Sequence, residues 1–344
     1  MSPVTLKSIA KATGYSVTTV SRALGGHADV NEETRRRILQ AAREMGYQPN
    51  LVARQLRSQR TYTIGLISPS YMYSHEDDFF ALLIKGIGRA AARHQYDLLL
   101  SSHLHGDDEM DAYRRIVGGN RVDGMIVART YRDDPRIAYL KSLNHPFVVS
   151  GRNAPGLPND FPFIDADSQL GIHMMVSHMV SRGYREIGLI LPPDDLAFTG
   201  YRLAGYRDGL AEAGIAYHDE YVIYGDLTLE SGYHAAQTLL ARAPQLTAII
   251  AANDLMALGA MRAVQEQGFH VGHDFAIGGF DNIPAGQHTS PSLTTVSQPI
   301  IEIGERLAEM LFQIIEGETP ADNGLLIEPT LVIRASTDPS HNRS

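Results

Sequence analysis

Two sets of residues carry the chemistry of this 344-residue chain. The first lies near the N-terminus, where Thr18, Thr19, Ser21 and Arg22 fall on or near the outer face of the second of two short helices in the run TLKSIAKATGYSVTTVSR. Hydroxyls and a guanidinium on one helical face are the donors a DNA duplex accepts. Hydroxyls orient on phosphate oxygens, and an arginine fork reads the O6 and N7 of guanine. The second set is dispersed over Arg202, Asn253 and Asp281. A fork, an amide and a carboxylate converging on one cleft can hold vicinal hydroxyls. A plain structural reading stands beside this one: Asp281 as the cap of a turn, Asp254 as the cap of its helix, and Arg202 as a partner of Glu212 or of solvent.

Other chemistries leave no signature. There is no GxxxxGK(S/T) loop and no GxGxxG, since Gly86 and Gly88 lie mid-helix without a third glycine. No HExxH occurs, and His103/His105 and His173/His178 miss the i, i+4 spacing of a helical metal pair. No GxSxG marks a hydrolase. Asp107-Asp108-Glu109 reads as a solvated loop. The chain has no cysteine, which removes disulfides, thiolate metal sites and cysteine nucleophiles. The expectation is a protein that is not an enzyme and uses no metal or cofactor.

The elements that must position these residues divide by charge. Residues 1–60 hold ten basic against four acidic side chains, while the rest of the chain holds 20 against 35. A basic head is therefore hidden inside a chain of net charge −9. In the head, Thr5 caps a helix with Leu6, Ile9, Ala10 and Thr13 inward. Gly14 turns the chain, and Ser16 caps a second helix with Val20 and Leu24 inward. Asn31 caps a third, buried along Ile38, Ala42 and Met45 and stopped by Gly46. Three short helices with a polar, Arg-tipped second one fit a major-groove reader. A basic, solvated interaction domain is the alternative. Asn50 to Arg57 (NLVARQLR) is a helix former too short to stand alone. It is either a connector or a segment that folds on DNA and wedges Leu56 into a minor-groove step.

Beyond Tyr62, β-rich runs alternate with helical stretches. The runs are 63–67, 97–101, 124–127, 147–149, 186–190, 248–251 and 276–279. The helical stretches include 80–94, 170–182, 201–213, 231–241, 254–267 and 300–316, and a last strand covers 324–333. This alternation predicts parallel sheets in two similar α/β lobes, with a hinge at Pro155–Pro162. Such sheets bind ligands beyond the carboxyl ends of their strands, which is where Ser68, Asn253 and Asp281 lie. Arg202 falls in the first turn of its helix, where a cation opposes the dipole and calls for a partner.

The spaced pattern of I-A, G-x-S-x-x-T-V-S-R, V-x-x-x-T-R, G-Y-x-P-N and A-R-x-L over the first fifty-odd residues resembles the LacI family of bacterial transcriptional regulators. YRLAGYRDGL, AANDLMALGAMRAVQEQG, GFDN, PSLTTVSQP and LVIRAST extend that resemblance over nearly the whole chain. It implies an all-α helix-turn-helix head joined by a hinge helix to a periplasmic-binding-protein-like sensor of two doubly wound lobes. The resemblance places base-edge contacts at Val17, Thr18 and Arg22, with Leu56 as intercalating wedge. It places backbone contacts at Thr5, Ser16, Thr19, Ser21, Thr34, Asn50 and Ala53. Effector contacts fall at Arg202, Asn253, Asp281 and Phe79, with Ser68, Arg129 and Arg152 as further candidates. The chain departs from the family pattern at Ser8, Tyr15, Gly25 and Gly151.

The domains expected are a head at 1–49, a hinge and linker at 50–61, a sensor at 62–336 and a tail at 337–344. The N-lobe is expected to take about 62–160 and 294–322, and the C-lobe about 161–293 and 323–336. The function the resemblance implies is a repressor of sugar uptake or catabolism genes, released from a pseudo-palindromic operator by a sugar-type effector. A corepressor mode with a non-sugar effector is the alternative, and a solute-binding protein a more distant one. The head lacks the apolar core of a signal peptide and no run approaches a membrane span, so a cytoplasmic protein without membrane contact is expected. The segment after Arg334 has no leucine heptad, which points to a homodimer and not a tetramer.

Overall fold

The computed structural model describes residues 4–25, 27, 29–47, 60–68, 78–102, 109–320 and 322–338. The chain forms two compact units, Met1–Arg60 and Thr61–Ser344.

The first unit holds α1 (Leu6–Thr13), α2 (Val17–Leu24) and α3 (Glu32–Glu44). Each N-terminus is closed by the residue the sequence nominates. The Thr5 hydroxyl accepts from the Ser8 amide at 3.3 Å, and the Ser8 hydroxyl accepts from the Thr5 amide at 3.3 Å, a complete capping box. Ser16 caps through the Thr19 amide at 3.0 Å and Asn31 through the Glu33 amide at 2.9 Å. Gly14 ends α1 at φ 77°, a left-handed turn that costs glycine nothing. Ile9, Val20 and Ile38 are fully buried where the three helices meet, with Ala10, Ala23, Val30 and Ala42 around them. Leu24 and Met45, expected inside, are only half-buried, and Ala23 and Val30 take the inner places. The expected hinge helix, with Asn50, Ala53 and Leu56, lies outside the described residues.

The second unit contains two six-stranded sheets. The first has the order β11 (Gly324–Ile327), β5 (Phe163–Ala166), β4 (Phe147–Ser150), β3 (Gly124–Ala128), β1 (Thr63–Ser68) and β2 (Asp97–Ser102), all parallel. The second has the order β12 (Thr330–Val332), β10 (Thr294–Ser297), β9 (Ala276–Phe280), β8 (Ala248–Ala251), β6 (Ile187–Leu191) and β7 (Val222–Tyr224), with only β12 antiparallel. Helices flank both. Around the first sheet lie α4 (Asp78–Arg93), α5 (Glu109–Val117), α6 (Pro135–Ser142) and α11 (Ile300–Ile315). Around the second lie α7 (Ser168–Ser181), α8 (Ala197–Glu212), α9 (Leu229–Arg242) and α10 (Asp254–Glu266). The central strands β3, β6, β8 and β9 are buried along their whole length, as sheets covered on both faces require. No helix among the described residues is long and apolar enough to cross a membrane.

The lobe boundaries differ from the expected ones. Residues 163–166 fall in the expected second lobe but form β5, which pairs with β4 and β11 in the first sheet, through Val149↔Phe163 and Gly324↔Phe163. Pro155–Pro162 therefore joins two strands of one sheet and is not the crossover. β10, expected in the first lobe, pairs with β9 in the second. The expected terminal strand at 324–333 is two strands, β11 in the first sheet and β12 in the second. The chain crosses between lobes three times, after β5, after β10 and after β11. Hydrogen-bonded neighbours decide sheet membership, and a parallel strand's neighbour is remote in sequence, so order along the chain does not reveal it.

Candidate functional site: an interlobe cleft and the face of the head

The crossovers leave the carboxyl ends of both sheets around one cleft, with about 890 Å3 of atom-free space including its mouth. This is the position and size of small-molecule sites in open α/β folds. Phe79, Arg129, Arg202, Asn253 and Asp281 line it, five of the seven expected effector residues.

Arg202 is the most distinctive of them. It lies in the second turn of α8, one turn further in than expected, because the helix begins at Ala197. Its side chain is packed between two aromatic rings, with the guanidinium carbon 4.6 Å from the Phe198 centroid and 4.2 Å from that of Phe280. One terminal nitrogen donates to the Ala252 carbonyl, while Nε is buried with no hydrogen-bond partner. Burial pulls its pKa down to about 10, against the opposing charges of Asp281 and Asp165. Glu212, the partner it would have on a plain structural reading, instead meets His173 at 2.6 Å. A buried cation aimed into a cleft without a hydrogen-bonded carboxylate favours a ligand rich in acceptors.

Asn253 and not Asp254 caps α10. Its side-chain oxygen accepts from the Met256 amide at 2.9 Å, and its amide donates to the Leu227 carbonyl at 2.9 Å. Asp254, the next residue, is fully buried. Its carboxylate accepts from the Thr295 hydroxyl at 2.5 Å and from the Ile283 amide at 2.8 Å. Burial pushes the Asp254 carboxyl up to about 8, and the neighbouring charge of Asp281 adds to that rise. Asp281 stands at φ 111° and Asn282 at φ 56°, a backbone that non-glycine residues adopt at a cost. The Asp254–Ile283 bond and the Gln298 amide, 2.6 Å from Asp281 Oδ1, hold this turn in place. Gln298 stands where the chain leaves the second sheet for α11.

Ser68 and Arg152 do not line the cleft. Arg152 is instead engaged by a residue that does line it, with Nε donating to Asp165 at 2.9 Å and its guanidinium 3.9 Å from the Tyr201 ring centroid. Ser68 ends β1 short of the lining. The lining residues that sequence reasoning missed include Asp165, Phe198, Leu227 and Gln298, and Asp254 had a plain reading as a helix cap. Phe198 had a legible signal, since it stands four residues before Arg202 on one helix and so on the same face. Asp165 had none, because its strand was not recognised.

The two lobes also touch beside the cleft. Tyr131 and Leu196 form an antiparallel bridge, the Arg132 amide donates to the Asp195 carbonyl at 2.9 Å, and Arg132 pairs with Asp194 at 2.9 Å. On the first-lobe side, the fully buried Arg136 braces this segment, bonding Asp134, Glu109 at 2.9 Å and the Arg129 carbonyl at 2.8 Å.

On the head, Val17, Thr18 and Arg22 are exposed along α2. Thr5 and Ser16 are exposed at helix starts, and Thr19, Ser21 and Thr34 are partly covered. Of the departures, Ser8 completes the first capping box, Tyr15 packs on the core beneath Arg37, and Gly25 ends α2. Among the described residues no group of three or more histidine or acidic side chains is arranged to hold a metal ion.

Comparison with known proteins connects head and cleft. The family of bacterial regulatory proteins, lacI family, matches residues 5–50, and a periplasmic binding protein-like domain matches residues 176–337. The chain is 35% identical over 347 residues to the HTH-type transcriptional regulator AglR of Rhizobium meliloti (strain 1021), covering 99% of this chain and 96% of AglR. Among solved structures it is similar to the transcriptional regulator CelR in complex with cellobiose, with TM-score 0.76, 32% identity and 97% and 99% of the two chains covered. It is also similar to the lac repressor dimer bound to operator and the anti-inducer ONPF, with TM-score 0.84, 28% identity and 98% and 100% covered.

Proposed function

The chain belongs to the lacI family of bacterial regulatory proteins and is a transcriptional regulator, not an enzyme, and from that premise we propose that it represses genes of sugar uptake or catabolism and leaves its operator when a sugar-type effector fills the interlobe cleft. The observation that carries the effector class is Arg202: a buried guanidinium between Phe198 and Phe280, with Asp281 and Asn253 around the same space. Phe79 in the lining offers an aromatic surface to the apolar face of a sugar ring, while the fork, the amide and the carboxylate take its hydroxyls. CelR, solved with cellobiose, supports the same class.

The protein acts in the cytoplasm as a homodimer that presents two heads to the two half-sites of a pseudo-palindrome. The lac repressor dimer on operator supports this arrangement. Val17, Thr18 and Arg22 read base edges, with Leu56 from the hinge segment as a wedge. Thr5, Ser16, Thr19, Ser21, Thr34, Asn50 and Ala53 hold the backbone. Ligand in the cleft favours one relative lobe orientation, and by linkage operator DNA changes effector affinity by the same factor.

A thermal-shift screen of the full chain against mono- and disaccharides, cellobiose first, and against nucleosides tests the effector class. A true ligand at about 100 times its Kd stabilises by about 2.7 kcal/mol. The same ligand must then lower operator affinity in a mobility-shift assay. A nucleoside that stabilises the protein while tightening DNA binding overturns the sugar and release readings together.

A further inference from the structure

Arg22, the fork at the exposed end of α2, is held by a neighbour. Its Nη2 lies 2.5 Å from Oδ2 of Asp29, and both side chains are about half exposed, at 51% and 50%. Two described residues near Asp29, His27 and Val30, are held to the head. The His27 amide donates to the Arg22 carbonyl at 3.1 Å, and Arg35 Nη2 donates to the His27 carbonyl at 2.6 Å. Val30, the next residue after Asp29, is buried in the head core. The carboxylate thus stands at a set place relative to the end of α2.

Stability does not account for this pair. Ion pairs between half-exposed side chains contribute little to folding, and an acidic group beside a phosphate-binding surface opposes binding through charge. Its effect is on the arginine's freedom. A lone arginine on a DNA-facing helix samples many rotamers, and some of them reach phosphate oxygens that carry no sequence information. A carboxylate on one terminal nitrogen removes those rotamers. The guanidinium has five N–H donors, so a pair remains for the O6 and N7 of a guanine. An adenine at that place offers N7 but sets its N6 donor against the second N–H, and a fork that cannot swing away feels the mismatch in full. Once the duplex excludes water, the Asp29–Arg22 attraction strengthens and the restraint tightens.

We propose that Asp29 is a specificity-determining positioning residue: it pre-aims Arg22 at guanine and withholds it from phosphate, so the head gives up some affinity for a sharper sequence preference. This rests on the reading of Arg22 as a base reader.

The test uses the full chain in four forms: wild type, Arg22→Ala, Asp29→Asn and Asp29→Glu. Preferred sites are selected from a randomised duplex pool. Affinities are then measured by fluorescence anisotropy on four duplexes that differ only at the base pair whose preference Arg22→Ala flattens. Asp29→Asn is expected to lower the guanine-over-adenine ratio about 3- to 10-fold, a part of what one bidentate contact carries. Affinity for the non-guanine duplexes should rise, and the salt slope should grow by up to about one unit as Arg22 turns to phosphate. Asp29→Glu, which keeps the charge, should recover part of the ratio. If Asp29→Asn shifts all four affinities by one common factor, Asp29 is only a surface charge and the proposal is overturned while the reading of Arg22 stands. If Arg22→Ala flattens no position, the reading of Arg22 falls and the proposal with it. Both side chains are half exposed and outside the head core, so the substitutions leave the fold intact, and matching circular dichroism of the four forms checks this.

Discussion

The guanidinium of Arg202 lies 4.2 Å from the centroid of the Phe280 ring, an ion–ring contact between α8 and the last residue of β9. Phe280 immediately precedes Asp281, so one contact ties the cleft's buried cation to the strained turn that carries its carboxylate. Removing the cation should therefore separate binding from folding. Arg202→Met should abolish ligand-dependent stabilisation while changing ligand-free stability by less than about 1 kcal/mol. The reason is that a buried charge with an unsatisfied Nε contributes little to the fold. Calorimetric titration and denaturant melts of the same sample check both halves. A large loss of ligand-free stability would show that Arg202 is a structural residue.

Asp254 gives a pH signature. Its folded-state pKa, about 8, is above its ordinary value near 3.8, so folding takes up a proton between those limits. The contribution of this group to stability is then greatest below about pH 4 and falls as pH rises toward 8, by up to about 1.4 kcal/mol per unit. Above 8 the effect is constant. Asp254→Asn should flatten that part of the wild-type pH–stability curve, which urea melts from pH 4 to 9 will show. Parallel curves for the two proteins would count against it.

Arg152 and Asp165 form a mostly buried pair 2.9 Å apart. Burial raises the Asp165 pKa, and Arg152 is the strongest influence holding it down. Arg152→Ala takes away that carboxylate's hydrogen-bonded cation, leaves it the weaker influence of Arg202, and should cost about 3 kcal/mol near neutral pH. Part of the loss should return on acidification, because the carboxyl can then be neutral. A loss that is the same at pH 5 and pH 8 would mean that packing on Tyr201, and not charge, is what Arg152 provides.

Gly86 and Gly88 stand two residues apart on α4 and should respond with opposite signs. A Cβ at Gly86 would lie 2.1 Å from the Ile301 carbonyl oxygen of α11, whereas one at Gly88 would meet nothing within 4 Å. Gly86→Ala should destabilise by about 1–3 kcal/mol through overpacking of two crossing helices. Gly88→Ala should stabilise by about 0.5–1 kcal/mol through helix propensity. Thermal melts of the two variants decide this.

Much of the head was legible because its signals are local. Thr5, Ser16 and Asn31 each bond an amide two or three residues away, and Ile38 and Ala42 are buried at i, i+4 spacing on one helix. The cleft was legible only in part. Asn253 and Asp281 follow apolar strands that announce themselves, but Asp165 lies on a four-residue strand flanked by proline and aspartate that local pattern did not mark. The partner of Arg152, Asp165, stands thirteen positions along the chain, and only the fold brings the two together.

By itself the sequence determined the basic head, the alternation of strands and helices, the residues that end the strands and the family pattern that joins them, since all of these are set by neighbours along the chain. Only the tertiary structure decided which sheet β5, β10 and β11 enter, which of seven candidate side chains face one cavity, and that Arg202 lies between two aromatic rings. Parallel pairing and cleft formation join segments far apart in sequence, and the hydrogen bonds and burial that select those partners exist only once the chain has folded.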